Sequence, residues 1–70
     1  MINRYFFYYP VEGGNDHLVA KTENGVGYVY DDTTREWIEN PNAIKWALHN
    51  PRQCDFRKDE SELMMYHGMA

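Results

Sequence analysis

The stretch Leu18-Val19-Ala20-Lys21-Thr22-Glu23-Asn24-Gly25-Val26-Gly27-Tyr28-Val29-Tyr30-Asp31 decides the reading of this chain, because Asn24-Gly25 sits between two strand-like runs. A two-residue loop of this kind needs positive φ at both central positions, which Asn and Gly tolerate best. The pair therefore predicts a hairpin closed by Glu23 and Val26, with cross-strand partners Thr22/Gly27, Lys21/Tyr28, Ala20/Val29, Val19/Tyr30 and Leu18/Asp31. Side chains alternate along a strand, so the register divides the residues between two faces. Leu18, Ala20, Gly27 and Val29 form a small apolar face suited to a packed helix. Val19, Lys21, Glu23, Val26, Tyr28 and Tyr30 form a taller, aromatic and partly charged face, which suits either a contact surface or a solvated strand face.

Upstream, residues 3–9 have strong β propensity and no alternation, which places aromatics on both sides. Such a strand is either covered on both faces or leaves half of its aromatics exposed. Pro10 and Gly13-Gly14-Asn15-Asp16 make a loop into the hairpin. Three consecutive antiparallel strands are the simplest topology.

Downstream, Asp31-Asp32-Thr33-Thr34 reads as a polar turn and Trp37-Ile38 as an apolar anchor docking on the sheet. Asn40-Pro41 is a helix start, since Asn caps free amides and Pro at the first position loses no hydrogen bond. The helix runs to about His49 and is stopped by Pro51, with Asn50 disfavoured from continuing it. Ala43, Ile44, Ala47 and Leu48 form its expected core stripe, and Trp46 lies off that stripe. Residues 53–57 are a candidate fourth strand with Cys54 and Phe56 on one side. Asp59-Glu60-Ser61-Glu62 has the form of a capping box, with Asp59 as cap and Glu62 reaching back to its amide. Leu63, Met64, Met65 and Tyr66 would point in all directions on a helix, so part of that surface is covered or meets a partner. Gly68 suits the residue just past the helix. The expected fold is α+β in a single domain over residues 1–70: a three-stranded antiparallel sheet, four-stranded if residues 53–57 join it, with one packed helix and a short C-terminal helix.

Seventy residues bury only about 60% of the surface of the unfolded chain, so the core is small. Eleven aromatics nevertheless argue for a folded globule rather than disorder. The one cysteine, Cys54, excludes an internal disulfide and the usual zinc cluster, and suits a reducing, cytoplasmic setting. The aromatic run at 5–9 ends at Pro10 and is too short for a membrane span or signal core. A net charge of -4 disfavours nucleic acid, which is held by phosphate neutralisation.

Chemistry-bearing candidates each have a plainer role. Cys54, near His49 and beside Asp55, is the one candidate nucleophile, but cysteine usually packs as a small hydrophobe. Asp16, His17, Asp31 and Asp32 would have to converge to bind a cation, and Asp is a common turn residue. His49 and His67 fall at helix C-termini, where the dipole favours a cation. Residues 24–31 share Gly25, Gly27, Tyr28 and Val29 with the RNA-recognition-motif strand pattern. They depart from it at Asn24, Val26 and Asp31, and a Gly-rich hairpin accounts for the match. The sequence has no P-loop, dinucleotide or metal-hydrolase pattern. Hence no catalytic, cofactor or metal residues are expected.

The remaining feature is surface rich in the residue types enriched at interface centres. The expectation is a non-catalytic protein-binding module, of the kind of small inhibitor, immunity or anti-defence protein carried by phages and mobile elements. Its partner-binding residues are expected to be Tyr28, Tyr30, Lys21, Trp46, Met64, Met65 and Tyr66. The alternatives are a single-stranded nucleic-acid binder using the Tyr face with Arg4, Lys21, Arg57 and Lys58, or a homodimer held by its aromatics.

Overall fold

The computed structural model describes residues 2–69. The hairpin has the expected register: Ala20 faces Val29, Lys21 faces Tyr28, Thr22 faces Gly27 and Glu23 faces Val26. Asn24 and Gly25 take φ of 53° and 80°, as a tight primed turn requires. Its strands are β2 (Leu18–Glu23) and β3 (Val26–Asp31), and β1 (Arg4–Tyr8) pairs antiparallel with β2.

The sheet has five strands, in the order β4-β3-β2-β1-β5. β5 (Cys54–Arg57) is the candidate fourth strand of the sequence, antiparallel to β1. The expected count is corrected by β4 (Glu36–Glu39), which places Trp37 and Ile38 in a strand opposite Tyr30 and Val29 rather than in a docked anchor. Its turn is built by Asp31, whose Oδ1 accepts the amides of Thr33 and Thr34 at 2.8 and 3.3 Å. The left-handed turn residue is Arg35, at φ 60°, not a glycine.

A helix lies on each face of the sheet. α1 (Asn42–His49) begins where Asn40 accepts the Asn42 amide on its Oδ1 at 3.0 Å. It covers Phe6, Tyr8 and Ala20 with Ala43 and Ala47, and Val29, Trp46 and Cys54 complete that cluster. Two alanines let the helix approach closely, and Gly27 lets it approach closer still: a Cβ there would lie 2.6 Å from the Asn40 carbonyl oxygen. The expected α1 stripe is corrected at Leu48, which is 61% exposed. Leu18, assigned to the same covered face, also remains exposed at the end of its strand.

α2 (Glu60–Met69) covers the opposite face, burying Leu63 fully against Phe7 and Val19, with Tyr5, Tyr9, Tyr30, Trp37 and Met64 around them. Asp59 caps it, accepting the Glu62 amide at 2.8 Å. The Glu62 carboxylate turns toward Arg57, 4.0 Å away, instead of closing a capping box. The helix also continues through Gly68, which is therefore not its stop. With both faces roofed, β1 is the doubly covered strand: Phe6, Phe7 and Tyr8 are all buried. Among the described residues no helix is long and apolar enough to cross a membrane.

Candidate protein-binding surface

The aromatic face of the hairpin is largely used inside the fold. Lys21, expected to be a surface cation, is only 7% exposed. Its Nζ pairs with Glu60 at 2.7 Å and Glu23 at 3.1 Å, and lies 4.5 Å from the Trp37 ring centre and 5.4 Å from that of Tyr28. Burial pulls the ammonium down, but hydrogen bonds to Glu60 and Glu23 outweigh it and hold Lys21 above the usual lysine value. Glu23 is held below the usual carboxylate value by hydrogen bonds from Lys21 and then Tyr5, whose hydroxyl donates at 2.9 Å. The Tyr5 hydroxyl is itself raised, by burial first and by Glu23 second.

Tyr28 and Tyr30 are half-buried, and Tyr30 meets Trp37 edge-on at 5.2 Å. Trp46 stacks one ring face on Tyr8, so that face is not open to a partner. Met64 packs beside Leu63. Of the residues expected at an interface, Met65 (56% exposed) and Tyr66 (40%) stand well out from the surface, on the outer side of α2.

Tyr66 lies beside the terminal strand β5, and Met65 shares a shallow surface hollow with Tyr66 and Lys58, just past the strand's end. Arg57 joins Tyr66 to the strand: its guanidinium carbon sits 4.2 Å from the Tyr66 ring centre, and its Nη2 pairs with Asp55 at 2.7 Å. On the opposite sheet face Phe56 packs on Phe6 with ring centres 5.3 Å apart, yet stays 39% exposed. The surface is thus a strand edge, unpaired among the described residues, with Phe56 on one side and Tyr66 on the other and Met65 just past the strand's end. The sequence pattern placed Phe56 on the Cys54 side of a strand. It carried no sign that this strand would be the sheet's last, which is what exposes the edge.

The other candidates go to structural partners. The Cys54 thiol donates to the Trp46 and Asn50 carbonyls at 3.5 and 3.4 Å, and burial pushes its pKa up to about 11. Asp32 pairs with His67 at 2.6 Å, tying the end of α2 to the β3–β4 turn. His17 packs its ring against Phe7 and Tyr9. Among the described residues no group of three or more His, Cys, Asp or Glu side chains is arranged to hold a metal ion. A hollow of about 300 Å³ between α1 and the hairpin is lined mainly by Ile2, Ile44, Ala47 and Leu48, with Arg4 at its side. No family of known proteins, no curated protein and no solved structure matches this chain.

Proposed function

We propose that this chain is a non-catalytic protein-binding module that engages its partner along β5, between Phe56 on one side and Tyr66 on the other, with Met65 just past the strand's end. The observation that carries the reading is the placement of the exposed aromatics Phe56 and Tyr66 on opposite flanks of a strand edge that is unpaired among the described residues. Edge strands offer free N–H and C=O groups to an incoming chain, and flanking apolar side chains supply the buried area. A protonated, hydrogen-bonded Cys54 thiol gives a nucleophilic mechanism no support. The nucleic-acid alternative loses Lys21, which is committed to two carboxylates beneath α2. Small size and acidity suit a protein that acts by occupying a partner's surface, as inhibitors and immunity proteins do. The free thiol suits the cytoplasm.

Affinity capture from the native host, comparing wild type with a Met65→Ser, Tyr66→Ser variant, tests the reading. A discrete polypeptide retained by wild type and lost from the folded variant is the expected result. Equal capture by both would refute this surface as the interface.

A further inference from the structure

We infer that β5 pairs antiparallel with β5 of a second copy of this chain, about a two-fold axis between the two Phe56 residues. The inference rests on the proposed binding surface and names its occupant. The Tyr9 amide donates to the Gln53 carbonyl at 2.8 Å, and Tyr8 stands opposite Cys54. Backbone groups alternate sides along a strand, so residues 53, 55 and 57 point theirs at β1, while Cys54, Phe56 and Lys58 point theirs outward. The described chain places no strand on that outer side.

A two-fold axis that makes the pair antiparallel stands perpendicular to the sheet and passes between a residue and its own copy. Three centres fall within the strand's charged half. An axis at Asp55 sets two carboxylates opposite each other, and an axis at Arg57 sets two guanidinium groups opposite each other; directly opposed like charges destabilise a sheet. An axis at Phe56 sets Asp55 against the copy's Arg57, and Arg57 against its Asp55. It also makes Phe56 a pair that exchanges two backbone hydrogen bonds with itself.

Of these three registers, the one centred on Phe56 is the one in which the strand's charges complement each other. Asp55 and Arg57 already lie 2.7 Å apart on the α2 face, so pairing turns one ion pair into a four-charge cluster. Tyr66 rims that cluster, and Phe56 meets its copy on the other face. The opposite edge is unsuited: β4 contains Glu36 and Glu39 and no cation. A contact this small makes a reversible, concentration-dependent dimer.

Sedimentation equilibrium on the full chain is the test. Wild type is expected to rise from one protomer mass to two between micromolar and millimolar concentration. Asp55→Arg alone and Arg57→Asp alone should each stay monomeric, and an equimolar mixture should recover the dimer, because each variant then opposes the other's charge. Should Arg57→Asp not fold, Phe56→Pro removes an outward N–H that β1 does not use and should abolish the dimer. A wild type monomeric throughout, dimers persisting in each charge variant, or assemblies growing without limit through β4 would each overturn the inference. A monomer that still captured another polypeptide through Met65 and Tyr66 would overturn self-pairing and leave the binding surface standing.

Discussion

Tyr8 and Trp46 stack face to face, with ring centres 4.1 Å apart and planes 2° from parallel. The stack joins β1 to α1 and explains why the helix turns Trp46 inward while Leu48 faces solvent. Trp46→Ala should destabilise the fold by about 3 kcal/mol, the scale of a large aromatic removed from a packed site. Urea denaturation followed by far-ultraviolet dichroism measures this, and a loss within error of zero would show that the stack does not hold α1.

Lys21 under α2 is expected to tolerate an apolar replacement better than a small one. Lys21→Ala should cost about 2 kcal/mol, since it leaves a cavity while Glu23 and Glu60 retain some solvent. Lys21→Met should cost less than Lys21→Ala at neutral pH, by about 1 kcal/mol, since its chain refills the space while leaving the same two carboxylates unpaired. The pH dependence separates them from the wild type. A depressed Glu23 contributes stability that is present above the ordinary carboxylate range and is lost as the pH falls through its lowered value. A raised Lys21 contributes stability present below its ordinary value and lost as the pH rises through the raised one. Both limbs should flatten in Lys21→Met, read as midpoint temperature against pH.

Two glycines should respond with opposite signs. In Gly27→Ala the new methyl meets the Asn40 carbonyl oxygen at 2.6 Å and the Ala43 Cβ at 3.0 Å, so α1 must move away. A loss of about 1–3 kcal/mol is expected. Gly68 is helical and a Cβ there meets nothing within 4 Å. Gly68→Ala should therefore gain about 0.5–1 kcal/mol. Thermal midpoints of the two variants beside wild type give the comparison.

Cys54 should alkylate slowly. A thiol pushed from 9.0 to about 11 by burial holds about a hundredfold less thiolate near neutral pH. Iodoacetamide labelling of the native protein should fall well below that of the urea-unfolded chain, and equal rates would place the thiol in solvent.

The hairpin was legible because a two-residue Asn24-Gly25 loop leaves only one register that closes it, and the Asn40-Pro41 helix start was legible from its capping chemistry. β4 was not, since it has four residues and its turn uses Arg35, whose left-handed backbone no composition rule anticipates. The roofing of the Tyr28 face by α2 was hidden for a different reason. Leu63, Met64, Met65 and Tyr66 are contiguous, so spacing could not say that Leu63 turns inward while Met65 and Tyr66 face out. Lys21, Trp46 and Met64, expected at a surface, thereby turn out to pack within the fold, and the exposure of Phe56 was not legible because strand order, not residue type, produces it.

Site-specific photocrosslinking in the native host tests the binding surface most directly. A benzophenone side chain placed at Tyr66, beside β5, should yield a discrete adduct with another polypeptide chain, whereas the same group at Ile38 on the β4 edge should yield none. An adduct formed from Ile38 and not from Tyr66, or from neither position, would contradict the account.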